Sequence, residues 1–365
     1  MRNMLPQNYQ MGLTHYDEEK ATPGYTLFSP TGLTKTHLIN MKGQIVHEWD
    51  LPDIPGNYAY LLPNGNLLAA TRTDAGPKGL PAKGGRLTEL DWDGNTVWEH
   101  FDDLQNHDFR RKANGNTVYM LWDLYDEETS SRVKGGIPGT EHEDGGIYDT
   151  IIREVNPAGE TVWQWRSADH PEFHEFPLHP MVTRQFICAN TVFPCPNEDV
   201  IVNWRRNNTM VIIDYATGQI KWHLSDYAYG QQHDVQLLEN GNILFFANGS
   251  NVEDAGPGGG SSVVEIDPKT KEEVWKYRGA PPRTFFSWFI SGCQRLPSGN
   301  TLICEGVTGR FFEVTPDCEI VWEYISPFIV DDESKPYHGN NQVFRCYRYA
   351  GDSPEIGGRL PINQK

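Results

Sequence analysis

The segment GNTVWEH at residues 94–100 decides the fold, because its pattern returns five more times along the chain. Each copy is a small turn followed by a β-branched residue and then an aromatic one. The other copies lie at residues 43–49, 159–165, 218–223, 271–277 and 318–324. Copies of strand-forming sequence about fifty to sixty residues apart are typical of the blades of a β-propeller.

A second pattern falls between the copies of the first. It is an Asn-Gly or related turn between apolar stretches, at residues 62–68, 113–118, 195–200, 239–244 and 296–302. Asn-Gly between alternating apolar residues is the strongest short signal for a β-hairpin. A sixth copy is degraded, and residues 343–347 are expected to supply the inner strand there. Together the two patterns predict units of four antiparallel strands.

The sequence therefore predicts an all-β fold, a six-bladed β-propeller with four antiparallel strands per blade. All 365 residues are assigned to one domain. The blades are expected at roughly residues 24–56, 57–106, 107–189, 190–232, 233–290 and 291–349, with strands from both termini closing the ring. An open row of hairpins is the alternative, but tight turns at one end of every repeat favour the closed ring.

Composition limits the partners of the chain. The formal net charge is −18, and no run of basic residues is longer than three. Such a field repels nucleic acid and anionic membranes, so neither is an expected partner. Residues 1–10 lack the basic and apolar regions of a signal peptide, and the six cysteines show no zinc-binding spacing. A cytoplasmic monomer or homodimer with reduced thiols is expected.

The repeats also locate a candidate site. The tight turns share one face, so the long connections lie on the other, where binding residues concentrate. Counting seven residues back from each turn gives a polar residue at the start of each inner strand: Asn57, His107, Asn190, His233 and Ser291. Counting eight residues forward from each turn leads along the second strand back to the same end of the blade. The residues reached are Arg72, Trp122, Arg205, Asn248 and Gly306, and Glu305 precedes the last of them. These side chains are expected to converge in a polar pocket at the channel mouth.

The residue types suggest chemistry on a small anionic aromatic molecule. Arg72 and Arg205 would bind the anion through charge-assisted hydrogen bonds. His233 would act as general base or nucleophile, and His107 as the acid. The expected aromatic walls are Trp122, Trp204 and Trp288.

Two other functions use the same residues differently. In a metal-assisted lyase or hydrolase, His107 and His233 would hold a divalent ion together with His179 or Glu305. Apart from that possible ion, no cofactor is indicated. In a non-catalytic ligand-binding or interaction propeller, ordinary residues would line the mouth, and exposed apolar patches would contact a partner.

Three stretches resemble the bacterial arylsulfotransferases, which are six-bladed propellers. They are residues 106–116, residues 232–249 and residues 294–314, the last being similar to the shorter arylsulfotransferase-like branch. The resemblance implies a transferase in which a histidine takes the sulfuryl group from a phenolic sulfate and passes it to another phenol. In that comparison, His107 and His233 match histidines that support the reaction.

The chain departs from this family pattern at two places. The family's nucleophilic histidine is expected where this sequence has Ser291, Gly292 and Cys293. The arginine expected after the Asn-Gly pair of the preceding blade is replaced by the region of Ser250 and Asn251. The resemblance thus implies that a nucleophile other than His233 would have to enter from a loop, as His179 or His338.

Overall fold

The computed structural model describes residues 10–187, 189–251, 259–334 and 337–362. Its strands, in chain order, are β1 (Gly12–Tyr16), β2 (Tyr25–Pro30), β3 (Lys35–Ile39), β4 (Ile45–Asp50), β5 (Pro55–Leu61), β6 (Leu67–Arg72), β7 (Gly85–Leu90), β8 (Thr96–Phe101), β9 (Gln105–Arg111), β10 (Thr117–Leu124), β11 (Gly135–Ile137), β12 (Tyr148–Val155), β13 (Thr161–Arg166), β14 (Leu178–Thr183), β15 (Ala189–Pro194), β16 (Val200–Trp204), β17 (Thr209–Ile213), β18 (Ile220–Ser225), β19 (His233–Leu237), β20 (Ile243–Ala247), β21 (Ser262–Ile266), β22 (Glu273–Arg278), β23 (Gly292–Arg295), β24 (Thr301–Glu305), β25 (Arg310–Val314), β26 (Ile320–Ile325) and β27 (Val343–Tyr349). The short helix α1 (Glu127–Arg132) lies between β10 and β11. Within the described ranges, no helix combines the length and apolarity needed to cross a bilayer.

Six antiparallel sheets form the blades, which confirms the prediction of an all-β, six-bladed propeller. Blade 1 has the strand order β27-β2-β3-β4, and blades 2 and 3 are β5-β6-β7-β8 and β9-β10-β12-β13. Blades 4 and 5 are β15-β16-β17-β18 and β19-β20-β21-β22, and blade 6 begins β23-β24-β25-β26. The first strands of neighbouring blades contact one another in one closed circle. These six strands therefore surround the central axis.

Strands from both ends of the described chain complete the ring. The late strand β27 pairs with β2 and is the innermost strand of blade 1. Strand β1 pairs with β26 and adds a fifth, outermost strand to blade 6, which the sequence patterns did not indicate. Blade 6 and blade 1 therefore each contain an early and a late strand, paired between residues about 300 positions apart in the chain.

The repeated aromatic residue of the opening motif has one role in all six blades. In five blades this residue is a tryptophan on the fourth strand, and it donates its indole N–H to a backbone carbonyl in a turn of the next blade, at 2.8–3.0 Å. In blade 1 the residue is His47, whose Nε2 lies 2.8 Å from the equivalent carbonyl of Trp92, and Trp49 donates to the neighbouring carbonyl of Asp91. The tryptophan pairs are Trp98–Pro157, Trp163–Tyr215, Trp222–Pro268, Trp275–Pro316 and Trp322–Met41. The last pair joins blade 6 to blade 1. The motif recurs because every blade has to be fixed to its neighbour at the same height.

Candidate active site

A pocket of about 120 Å³ lies where the long connections meet the inner strands. This volume is comparable to the ~150 Å³ cavity that accommodates one benzene molecule. The described residues that line it are Thr31, Gly56, Asn57, Arg72, Pro81, Ala82, His107, Arg205, His233, Phe289, Ile290, Tyr337, Gln342 and Phe344. Polar groups from several blades thus meet apolar and aromatic walls in a space the size of one aromatic ring.

Five of the residues selected by counting from the turns line this pocket together, namely Asn57, Arg72, His107, Arg205 and His233. Irregular backbone at the start of the inner strands helps to aim these side chains. The register of β9 against β10 shifts just after His107, whose φ is +44°. The register of β19 shifts just after His233, at Asp234, whose φ is +53°. Bulges of this kind redirect side chains and are common beside active sites.

The hydrogen bonds of His233 determine which ring nitrogen can react. Its Nδ1 lies 2.6 Å from Oδ1 of Asn248. The Nδ2 group of Asn248 donates to the carbonyls of Ser287, at 2.7 Å, and Ile290, at 3.0 Å, so its Oδ1 must face the histidine. Because an amide oxygen only accepts, Nδ1 of His233 carries the proton. Its Nε2 then has a lone pair and no hydrogen-bond partner among the described residues.

Both histidines are neutral at physiological pH. Burial, together with the positive charges of Arg205 and Arg345, lowers the pKa of His107 to about 3. Burial and the same arginine hold the pKa of His233 well below its ordinary value. A neutral imidazole can act as a base or nucleophile but cannot deliver a proton as an imidazolium ion. The predicted role of His107 as the acid therefore does not fit this site.

The pocket is positively charged although the chain carries a net charge of −18. Its described lining contains Arg72 and Arg205 and no carboxylate. The Arg72 guanidinium donates to the Tyr337 hydroxyl and lies 5.2 Å from the centre of that ring. Nε of Arg205 donates to Oε1 of Gln231 at 2.8 Å. Two guanidinium groups in one small pocket provide the planar donors that suit a tetrahedral oxyanion.

A sequence model of the arylsulfotransferase (ASST) family matches residues 59–327, which is most of the chain. The matched range contains the inner strands of blades 3–6 and the end of β5, and it stops before β27. The chain belongs to the arylsulfotransferase family. The resemblance inferred from the residues around His107 and His233 is thereby confirmed. No curated protein sequence matches the chain.

Two solved structures are similar to this arylsulfotransferase-family propeller. The crystal structure of a protein of unknown function from Bacteroides caccae matches with a TM-score of 0.57 and 13% identity, over 90% of this chain and 99% of that one. A streptogramin B lyase structure matches with a TM-score of 0.49 and 12% identity, over 95% of each chain. At 13% identity the first match supports the fold and nothing beyond it. The second match has a TM-score below 0.5 and supports no conclusion.

Ser291 and Gly292, where the resemblance led us to expect the family's nucleophilic histidine, are packed into the scaffold. Ser291 is fully buried, its Oγ donates to Oγ of Ser287 at 2.8 Å, and it accepts from the Gly306 N–H. A Cβ atom at Gly292 would lie 2.3 Å from Oδ2 of Asp234. No larger side chain fits there without movement of the buried carboxylate. In this arylsulfotransferase-family chain, Ser291 does not line the pocket.

Two further predicted contacts, Asn190 and Asn248, hold the scaffold instead. Nδ2 of Asn190 donates to the carbonyl of Gln232 in the next blade at 2.7 Å. Asn57, which lines the pocket, makes the matching bond to the carbonyl of His107. Asn248 contacts the imidazole of His233 from behind. At these positions an asparagine links neighbouring blades or orients a histidine.

The remaining predicted residues lie away from the pocket. Trp122 is buried against Tyr148 and Phe186, although its ring is 6.2 Å from that of His107. Glu305 pairs with Arg310 at 3.0 Å and lines a separate cavity. His179 accepts from the Met181 N–H and contacts Tyr227, and His338 is exposed. The last two therefore do not enter the pocket, as a nucleophile supplied by a loop would have to.

The tryptophans expected to form the aromatic walls of the pocket do not line it, and other aromatic residues do. Trp204 is fully buried and donates to Asp149 at 2.9 Å, and Trp288 is half-exposed outside the lining. The aromatic walls are Phe289, Phe344 and Tyr337. Phe289 and Tyr337 lie on irregular connections, where counting from a turn has no meaning. Only Phe344, on the inner strand β27, could have been found from its strand position.

A buried charge network lies next to the histidines. Arg345, on β27, is fully buried and contacts Asp108 at 3.0 Å and Asp234 at 3.3 Å. Oδ2 of Asp108 accepts from the Val192 N–H of blade 4, and Oδ2 of Asp234 accepts from the Cys293 N–H of blade 6. Burial raises the pKa of Asp108 to about 6, with Arg345 opposing the rise. The residue after each pocket histidine thus fixes its blade to the next one.

The predicted metal site gains no support from the geometry. His107 and His233 share the pocket, but among the described residues no group of three or more His, Cys, Asp or Glu side chains is arranged to hold a metal ion. The described cysteines are free thiols, four of them buried, and Cys188 lies outside the described residues.

Proposed function

We propose that this protein transfers sulfuryl groups from aryl sulfates to phenolic acceptors, with Nε2 of His233 as the nucleophile. The observation that carries the proposal is the hydrogen bond from Nδ1 of His233 to Asn248, which leaves Nε2 unprotonated beside two arginines. Membership of the arylsulfotransferase family supports the class of reaction. The positions of Ser291 and Gly292 leave His233 as the candidate that has a free lone pair.

The charges of the pocket suit an aryl sulfate, which is a monoanion with an aromatic body. Arg72 and Arg205 would hold the sulfuryl oxygens, because hydrogen bonds from guanidinium groups to anions are about twice as strong as neutral ones. Phe289 and Phe344 would contact the ring. Since His107 and His233 are neutral, Arg72 and Arg205 supply the positive charge of the described lining.

In the proposed reaction, Nε2 of His233 attacks the sulfur atom while the bond to the aryl oxygen breaks. A positive charge develops on the imidazole, and the Asn248 oxygen at 2.6 Å from Nδ1 stabilises it. The sulfuryl group on Nε2 is then transferred to the oxygen of a phenol, which restores the neutral histidine.

The direct test is incubation with 4-nitrophenyl sulfate and a second phenol. We expect release of 4-nitrophenol that is accelerated by the acceptor, with the new aryl sulfate detected by mass spectrometry. Release that is independent of the acceptor and yields only inorganic sulfate would show a hydrolase instead. Absence of both products would overturn the proposal.

The pH dependence of the reaction follows from the lowered pKa of His233. The neutral imidazole is the reactive form, and kcat/KM falls on the acid side only when His233 in the free enzyme takes up a proton. A histidine with the ordinary pKa of about 6.5 would lose roughly nine-tenths of its reactive form at pH 5.5. Because burial holds the pKa of His233 well below 6.5, we expect kcat/KM at pH 5.5 to stay within about twofold of its value at pH 7.5. An acid limb centred near pH 6.5 would contradict this assignment.

A further inference from the structure

Cleavage of an aryl sulfate requires a proton donor for the leaving oxygen, and the two pocket histidines do not supply one. The departing aryl oxygen takes both electrons of its bond to sulfur and requires a proton when the phenol is poorly acidic. Nδ1–H of His233 is bonded to Asn248, and the buried imidazoles are neutral. The described lining contains no lysine and no carboxyl group, and its hydroxyl groups belong to Thr31 and Tyr337. Of these two, only the phenol is an acid of the same class as the leaving group.

The Tyr337 hydroxyl is placed for this task by Arg72. The guanidinium donates to the hydroxyl oxygen, and because a guanidinium cannot accept, the hydroxyl proton remains available for another partner. The hydroxyl makes no second hydrogen bond among the described residues. The positive charge 5.2 Å from the ring centre would stabilise the tyrosinate left after proton transfer.

The backbone of Tyr337 is consistent with a position held for function. Its φ is +68°, in the left-handed region that residues with a Cβ rarely adopt. Its carbonyl accepts from the N–H of Asn340 at 3.0 Å and from the side chain of Asn340 at 3.2 Å. Strained residues of this kind persist where the surroundings fix them, and they concentrate at functional sites.

We propose that Tyr337 is the general acid of the first half-reaction, an inference that rests on the proposed function. As the bond from Nε2 of His233 to sulfur forms and the bond from sulfur to the aryl oxygen breaks, the aryl oxygen takes the proton of the Tyr337 hydroxyl. The first phenol leaves, and the tyrosinate remains paired with Arg72. In the second half-reaction, the acceptor phenol gives its proton back to Tyr337 as its oxygen attacks sulfur.

The test is the variant Tyr337→Phe with a series of aryl sulfates. The ring and its contact with Arg72 remain, and only the hydroxyl is lost. For phenyl sulfate, whose leaving oxygen needs a proton, we expect kcat/KM to fall by about 10²–10⁴-fold, the range of general acid catalysis. For 4-nitrophenyl sulfate, whose nitro group stabilises the departing phenolate, we expect a loss of less than about tenfold, because acid assistance then matters little.

Tyr227→Phe is the matched control, since the Tyr227 hydroxyl donates to the carbonyl of Pro177 outside the pocket. It should leave both substrates unaffected. An equal loss for both aryl sulfates in Tyr337→Phe would show that the hydroxyl only binds or orients, and it would overturn the inference. A wild-type protein that cleaves no aryl sulfate would instead refute the proposed function itself, so the two failures are distinguishable.

Discussion

Replacing His233 by asparagine is expected to lower kcat/KM for aryl sulfates by at least about 10³-fold while the protein stays folded. Nδ2 of asparagine occupies nearly the position of the histidine Nδ1 and can still donate to Asn248, so the buried amide keeps its partner. The variant lacks an atom equivalent to Nε2 and cannot form the bond to sulfur. Removing a nucleophile that acts together with its supporting groups removes most of the catalysis. A 10³-fold loss corresponds to about 4 kcal/mol of transition-state stabilisation.

Rapid mixing separates this prediction from a loss of binding. The wild-type protein should release an initial burst of 4-nitrophenol close to one equivalent, because the sulfuryl group accumulates on the histidine when acceptor is absent. His233→Asn should show no burst, with a melting temperature close to the wild-type value. The same substitution at His107 is the matched comparison and should retain the burst at a reduced rate. A full burst in His233→Asn would exclude His233 as the nucleophile.

Replacing Arg345 by methionine is expected to destabilise the fold by about 3–5 kcal/mol, the usual result of removing one partner from a buried ion pair. The substitution leaves Asp108 and Asp234 buried, with Arg110 as the remaining cation at 3.1 Å and 3.6 Å. Both carboxylates also tie their blades to the next ones, so the lost charge weakens several blade contacts at once. The urea unfolding midpoint measures the effect.

The matched control for this prediction is Arg86→Met. Arg86 pairs with Glu99 at 3.1 Å, and both side chains are partly exposed. Partly exposed pairs contribute about 0–1 kcal/mol, so a small change is expected. Adding Asp108→Asn and Asp234→Asn to Arg345→Met should recover part of the lost stability, because the uncompensated charges are gone. Equal midpoints for Arg345→Met and Arg86→Met would show that the network does not stabilise the ring.

The fold could be predicted from the sequence because one physical requirement acts six times. Each blade needs a ring N–H at the same height to reach a carbonyl of its neighbour. The indoles of Trp98 and Trp322 supply it in their blades and the imidazole of His47 supplies it in blade 1, and this constraint leaves a visible repeat. The added strand β1 leaves no such trace. It pairs with β26 across most of the chain length, and strand pairing at the outer edge of a blade requires no particular residue type.

The candidate site could be predicted only in part. Counting from the turns found His107 and His233 because equal distances along the chain from equivalent turns bring residues to the same end of the axis. The same count chose Asn190 and Ser291, whose short side chains reach neighbouring buried groups instead of the pocket. Tyr337 could not be found in this way, since it lies on an irregular connection between β26 and β27. Its position depends on tertiary contacts alone.

The place of β27 in the ring has a consequence for biosynthesis. This strand carries Phe344 of the pocket wall and Arg345 of the buried network, yet its partner β2 is made about 300 residues earlier. At ~5–20 residues per second, the ribosome needs about 15–60 s to synthesise the intervening chain. During that interval the edge of β2 that faces the axis has no partner, and the pocket lacks Phe344 of its wall. The described pocket lining is therefore complete only once β27 has left the ribosome.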